Sequence, residues 1–314
     1  MPANLTPQYI EAEEAYKRAT TPEDRLAALE NMLRCIPKHK GTEKMQADIK
    51  KRIARAREEG RAAAKKGRPD PYRVEREGAA QVFVVGPPNS GKSSLIGALT
   101  NARVVVAEYP FATTSPVPGM MRFENILIQL VDMPPMTRDM FPPAMAAAIR
   151  ASDGLLVTVD VSSDDCADVL EECLTLLDEG RAIREGQFMS VVATKLDLPG
   201  AADNADILAD VFPGRQLLRV SAAARAGLDL VPGHVFGNLG IIRVCSKPPG
   251  KPADWNAPFV LKKGDTVGDL ARAIHKDLYA NMKTARVWGS AKFDGQSVPR
   301  EYVLSDGDIV EFRT

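Results

Sequence analysis

The first sixty residues carry helical periodicity. Leu26, Leu29 and Leu33 recur at spacings of three and four, and Met45, Ile49 and Ile53 repeat the pattern after a break at Lys40-Gly41-Thr42. The spacing predicts two amphipathic helices, each with one apolar stripe, paired as an N-terminal helical hairpin. Thr21-Pro22-Glu23-Asp24 supplies an N-cap, a proline at the first helical position and an acid at the third, so a helix should begin there. Between Ala80 and Leu239 short apolar runs alternate with helical segments, the pattern of repeated βαβ units around a mainly parallel sheet. Strands are expected at Val82–Val85, Ile126–Val131, Leu155–Val159, Met189–Ala193 and Leu217–Val220. Helices are expected at Lys92–Thr100, Pro143–Ala151, Asp165–Glu179, Ala205–Val211 and Leu228–Asn238. After Gly240 short β-rich runs with Gly, Pro and Asp turns surround one helical stretch, Val267–Leu278, which predicts a small α+β unit. The expected organisation is a helical region over 1–78, an α/β domain over 79–239 and a small domain over 240–314.

Composition narrows the class. The chain has 314 residues, more than one compact domain usually holds, and its 45% hydrophobic and 26% charged residues suit a folded soluble protein. Lys+Arg 41 against Asp+Glu 41 gives 41 − 41 = 0, so whole-chain charge points to no polyanion, and only local clustering could. Such a cluster runs from Lys50 to Arg76, where base outweighs the acids Glu58, Glu59, Asp70 and Glu75. It reads equally as a docking face for a polyanion and as a solvated helix face entering the Gly67-Arg68-Pro69-Asp70-Pro71 linker. The four cysteines form no CxxC, and they read as buried thiols of a reducing compartment. No basic-then-apolar leader and no run of about 18 apolar residues occurs, so the expected location is the cytoplasm, with no membrane contact. Asn4-Leu5-Thr6 matches a glycosylation sequon by chance.

Gly86-Pro87-Pro88-Asn89-Ser90-Gly91-Lys92-Ser93 satisfies GxxxxGK[ST], after an apolar strand and before a helix, where a phosphate loop must sit. Glycines let successive amides face a di- or triphosphate, the helix N-terminus adds its positive end, Lys92 reaches the β/γ oxygens and Ser93 ligates Mg²⁺. The candidate phosphate-binding residues are Gly86, Pro87, Asn89, Ser90, Gly91, Lys92, Ser93 and Ser94. Thr194-Lys195-Leu196-Asp197 follows another apolar strand and resembles the [NT]KxD motif that selects guanine. A carboxylate at Asp197 can accept from both N1–H and the exocyclic amine of guanine, a pair that adenine lacks. Ser221-Ala222-Ala223 resembles the loop whose amide faces guanine O6. Asp132 closes a strand as a Walker-B aspartate does, and Thr113 or Thr114 should contact Mg²⁺ and the γ-phosphate. Ser93, Thr113 and Asp132 are thus the candidate metal residues, and Lys92 and Thr113 the candidate catalytic ones. His39, His234 and His275 lack triad partners and read as surface or packing residues. Trp288 and Phe293, near Arg286 and Lys292, fit the core of the small domain better than a base-stacking platform.

Together the phosphate loop, Tyr109-Pro110-Phe111-Ala112-Thr113-Thr114, Asp132, TKLD and SAA resemble the Obg-type GTPases. The stretch from Leu239 to Phe312, with KPPGKP, PFVLKKGDTVGDLARAIHKDL and LSDGDIVEF, resembles the TGS domain of the developmentally regulated GTP-binding (DRG) proteins. The resemblance implies a P-loop GTPase domain with a β-grasp-like TGS domain, and a Mg²⁺-dependent GTP- and GDP-binding protein, a slow GTPase acting on ribosomes or RNA. A protein regulator also fits. Asn89 matches the asparagine that ligates K⁺ in potassium-dependent relatives. Two departures stand out. The family's DxPG reads Asp132-Met133-Pro134-Pro135, and proline has no amide to sense a γ-phosphate. The glycine-rich switch and the domain inserted after it in relatives are missing. Met136 stands where Ras-type proteins place a water-orienting glutamine, a lack that Obg-like proteins share and that does not itself mean inactivity. A nucleotide-holding scaffold with little hydrolysis is therefore the second reading. A P-loop kinase would leave TKLD and SAA without a role.

Overall fold

The computed structural model describes residues 7–18, 22–37, 42–43, 45–54, 70–100 and 115–313. The chain divides into two units, Met1–Asp70 and Pro71–Thr314. In the first, the expected helices are present as α2 (Pro22–Cys35) and α3 (residues 45–54), and the structure adds α1 (Pro7–Arg18). The apolar stripes meet: Leu29 and Met32 of α2, and Ile49 and Ile53 of α3, enclose a core with Tyr9 and Ala12 of α1. The hairpin therefore gains a third helix, because two stripes alone leave apolar area that Tyr9 and Ala12 cover. Thr21, residues 55–69 of the basic stretch, Thr113 and Thr114 lie outside the described residues.

The second unit begins at Pro71 rather than at residue 79. Tyr72 and Val74 pack on the α/β core, and Gln129 Nε2 donates to the Glu75 carbonyl at 3.0 Å. A six-stranded sheet runs in the order β2-β3-β1-β4-β5-β6, from β1 (Gln81–Val85), β2 (Val117–Phe123), β3 (Ile126–Asp132), β4 (Gly154–Asp160), β5 (Phe188–Thr194) and β6 (Leu217–Arg219). All neighbours are parallel except β2, which pairs antiparallel with β3 from Val117↔Asp132 to Phe123↔Ile126. Sequence pattern misses β2 because Pro118 and Gly119 read as a turn. An edge strand tolerates them, since one side of its backbone needs no ladder partner. Helices α4 (Lys92–Leu99), α5 (Pro143–Ala151), α6 (Cys166–Glu179), α7 (Ala201–Val211) and α8 (Leu230–Asn238) follow. Two apolar layers enclose the sheet, one built on Phe83, Val131, Leu155 and Leu177, the other on Val82, Leu95, Ile128 and Val231.

Residues 241–313 form a five-stranded mixed sheet, β10-β9-β11-β7-β8, from β7 (Ile241–Ser246), β8 (Phe259–Lys262), β9 (Thr284–Trp288), β10 (Gln296–Val298) and β11 (Ile309–Arg313). Its buried face packs on α9 (Val267–Ile274), which opens with a capping box between Thr266 and Asp269. The single helix expected over Val267–Leu278 breaks at His275, which is extended and caps α10 (Lys276–Asn281) through Nδ1. Phe293 is a correction: it is 66% exposed, outside the core that holds Val287 and Val298. Lys292 Nζ lies 5.5 Å from its ring centroid. No described helix is long and apolar enough to cross a membrane.

Candidate functional site

The five residues of β1 are all buried, and the chain leaves the sheet at Gly86. A Cβ at Gly86 would meet the Thr158 carbonyl oxygen at 2.6 Å, so only glycine lets the loop pass this close to β4. Asn89 (φ 60°) and Gly91 (φ 82°) adopt left-handed backbone, and Gly91 is the N-cap of α4. The loop therefore curls and delivers its chain into a helix N-terminus, the geometry that turns amides toward an anion. Asn89 is exposed, and its left-handed φ gives it a loop-shaping role beside any role as a cation ligand. The Lys92 ammonium donates to the Gly86 carbonyl at 3.1 Å and the Pro87 carbonyl at 2.6 Å. Burial pushes its pKa down from 10.5 to about 8, partly opposed by the Asp132 charge.

The Ser93 hydroxyl donates to Asp132 Oδ2 at 2.5 Å. Asp132 is fully buried at the end of β3, so a hydroxyl and a carboxylate converge below the phosphate loop. One hydroxyl and one carboxylate suit Mg²⁺, which keeps waters and takes its remaining oxygens from phosphates. Among the described residues no group of three acidic, His or Cys side chains is placed to hold a metal ion by itself. Thr113, the other expected ligand, lies outside the described residues.

The base motifs close around the same loop. A cavity of about 300 Å³ is lined by Gly91, Ser94 and Leu95 from the phosphate loop and α4, by Thr194 at the end of β5 with Lys195 and Asp197 after it, and by Ala222 and Ala223 after β6. The Thr194 hydroxyl holds two of these parts together, 2.8 Å from the Ser90 carbonyl and 3.0 Å from the Val159 carbonyl. Asp197, exposed at the rim, accepts from the Ser221 hydroxyl at 2.5 Å, and that hydroxyl accepts from the Ala224 amide at 2.9 Å. Sequence reading overlooked Asp160. It ends β4 and holds the Lys195 ammonium at 2.5 Å, and the signal was present: an acid closing an apolar strand, as at Asp132. Burial raises the pKa of Asp160, but hydrogen bonds from Lys195 and Ser162 outweigh it and leave the carboxyl below its ordinary value. The lysine is held across the sheet's carboxyl edge, where a nucleotide base lies in open α/β folds.

The segment after Asp132 is pinned. Met133 N donates to the Val84 carbonyl at 3.1 Å and Met136 N to the Gly86 carbonyl at 3.0 Å. Both methionines and the two prolines between them are buried. Of the histidines, His234 Nε2 lies 2.7 Å from the Ser190 hydroxyl, His275 is the cap described above, and His39 lies outside the described residues.

Comparison with known proteins adds an independent line. The 50S ribosome-binding GTPase family matches residues 81–195, and the TGS domain family matches residues 242–314. A GTP-binding protein of Methanocaldococcus jannaschii is 28% identical over 92% of each chain. The developmentally-regulated G-protein 2 of Arabidopsis thaliana is 25% identical, over 92% of this chain and 90% of its own. These alignments span 358 and 365 positions against a chain of 314 residues, so the relatives hold stretches that are missing here. The crystal structure of a GTP-binding protein from Pyrococcus horikoshii shares the fold, with a TM-score of 0.51 and 17% identity over 74% of this chain and 99% of its own.

Proposed function

Because the chain is a DRG-like GTP-binding protein with a GTPase domain and a C-terminal TGS domain, we propose that it is a Mg²⁺-dependent, slow GTPase of the cytoplasm acting on ribosomes or RNA. The observation that carries the nucleotide reading is the Thr194 hydroxyl bridging the phosphate loop to the base motif around one cavity. That bridge sets the distance between phosphate and base sites, so a guanine nucleotide meets Lys92 at one end and Asp197 at the other. Ser93 and Asp132 would hold Mg²⁺, which would neutralise charge on the phosphate oxygens. Lys92 draws the same oxygens with a positive charge. A K⁺ ion beside Asn89 would add charge where Met136 cannot orient water.

The test is titration with labelled GDP, GTP and ATP with and without Mg²⁺, followed by phosphate release in K⁺ and in Na⁺. Guanine selectivity, loss of GTP affinity on chelation and slow release are expected. Equal ATP binding would overturn the reading. For the ribosome part, support comes from the TGS domain and the basic stretch, and association should weaken steeply with salt. Neutralising Arg52, Arg55, Lys65 and Lys66 together should flatten the slope of log K against log salt in ribosome sedimentation. A slope identical to wild type would leave the stretch as a solvated helix face.

A nucleotide-holding scaffold is favoured by one observation, the buried Met133–Met136 segment with Pro135 at the sensing position. A missing amide there removes one charge-assisted hydrogen bond specific to GTP, about 1.5–3 kcal/mol in an ordinary site. The wild type should therefore discriminate GTP from GDP weakly, and Pro135→Gly should raise both the discrimination and the turnover. Strong discrimination by the wild type, unchanged by glycine, would assign γ-phosphate sensing to another group.

A further inference from the structure

We propose that the cleft between the amino edge of the α/β sheet and the TGS sheet binds a small phosphate-bearing anion, with Arg184, Lys262 and Lys263 as its ligands. The cleft is a second cavity, of about 850 Å³. Its GTPase wall includes Ala80, Asp153 and Phe188, at or just before the first residues of β1, β4 and β5. The nucleotide site lies at the opposite edge, where Asp132, Asp160 and Thr194 close their strands. Six residue steps along β4 (Gly154–Asp160) separate the two edges, roughly 20 Å. The other wall of the cleft is the start of β7 and the end of β8, where Ile241 pairs with Lys262. A volume of this order suits a molecule of nucleotide size.

Charge decides the kind of ligand. Each acid on the lining is already engaged. Asp153 accepts from Arg76 Nη1 at 3.2 Å and from the Gln81 amide at 2.9 Å, and Asp265 accepts from the Lys262 amide at 2.9 Å. Asp269 accepts from the Thr266 amide at 2.9 Å and hydroxyl at 2.7 Å, and from Arg272 Nη1 at 2.9 Å. Of the lining cations, Arg76 is held by Asp153. Arg184, Lys262 and Lys263 are exposed, and their side chains form no ion pair among the described residues. A concave wall with surplus positive charge concentrates anions. The backbones that carry these cations are pinned. Gln187 Oε1 accepts from the Arg184 amide at 3.1 Å, and Gln187 Nε2 donates to the Ile149 and Ser152 carbonyls at 3.0 and 3.1 Å. Across the cleft the Lys263 amide donates to the Gly240 carbonyl at 2.8 Å, where Gly240 (φ 64°) turns the chain from α8 into β7. Phe188, Ile241 and Val260, partly buried, add apolar surface for an uncharged body. The engaged acids interrupt the positive surface, which favours a compact anion over the extended phosphate run of a nucleic acid.

The test titrates the full chain, loaded with one equivalent of GDP, with inorganic pyrophosphate and with ADP, whose base the TKLD loop should refuse. Binding should slow hydrogen exchange at residues 184–188 and 261–265. Tighter binding of ADP would mark the ligand as a phosphoester with a ring, and tighter binding of pyrophosphate as an inorganic phosphate; either supports the site. Arg184→Ala, and Lys262→Ala with Lys263→Ala, should each weaken binding about tenfold or more through lost charge-assisted hydrogen bonds, and leave GDP affinity unchanged. Lys292→Ala, an exposed lysine in the turn after β9, is the control and should change nothing. Absence of binding and of protection, or an affinity that survives both sets of substitutions, overturns the proposal. Protection of the same segments by a single-stranded RNA oligonucleotide, and by neither small anion, would overturn it in favour of a nucleic-acid surface. A wild type that binds no GDP fails the nucleotide reading alone, because protection at 184–188 by pyrophosphate still reads the cleft.

Discussion

Replacing Asp197 by asparagine should convert the site from guanine to xanthine. The carboxylate at the cavity rim can accept from N1–H and from the exocyclic amine of guanine, two charge-assisted bonds of about 1.5–3 kcal/mol each. Asparagine keeps an oxygen that can still accept from the Ser221 hydroxyl, 2.5 Å from Asp197 in the present geometry, so the loop should hold its shape. Its amide then faces the base with donors where guanine also has donors. GDP affinity should fall about a hundredfold or more, because polar groups are left unpaired at the contact, while xanthosine diphosphate, with a 2-oxo acceptor, should gain. Competition titrations with both diphosphates read the switch directly. An unchanged preference would remove Asp197 from base recognition.

Lys92→Ala should cost about a hundredfold in GTP and GDP affinity, since a charged donor to the β- and γ-oxygens is worth about 1.5–3 kcal/mol. The same residue sets a pH dependence. Its pKa stands at about 8, below its ordinary 10.5, because burial disfavours the ammonium. Phosphate beside it favours the ammonium, so the complex holds its proton more tightly than the free protein does. Nucleotide affinity should hold steady below about pH 8 and fall above it, by at most about tenfold per pH unit. For folding the sign is opposite. The unfolded chain binds the proton more tightly between pH 8 and 10.5, so this group's penalty on the fold is complete below about 8 and lifts as pH rises through that window. Lys92→Met should lose both the binding and its alkaline decline. A decline that survives in Lys92→Met would assign the titration to another group.

Much of this was legible in residue order, for a physical reason. Phosphate loops, TKLD and SAA are local: their chemistry depends on neighbours within a few positions, on a preceding apolar strand and on glycine where the backbone turns left-handed, as at Gly91. Apolar periodicity placed α2, α3 and five of the six strands of the α/β sheet, since burial of one face is written into spacing. The edge strand β2 escaped because its proline and glycine are tolerated only where the sheet ends. Phe293 escaped because an aromatic residue in sequence carries no sign of which side of its turn faces water.

The sequence by itself determined which groups are the candidates for nucleotide chemistry, and their order along the chain. Only the tertiary structure decided how those groups are held. Thr194 reaches Ser90 across 104 positions, Lys195 reaches Asp160 across 35, and Arg243 reaches Asn125 across 118. Each of these contacts joins residues whose separate neighbourhoods look ordinary, and each exists because the twist and order of the strands bring their carboxyl ends and turns together. Pairing across such distances depends on the packing of the whole sheet, which no local pattern encodes.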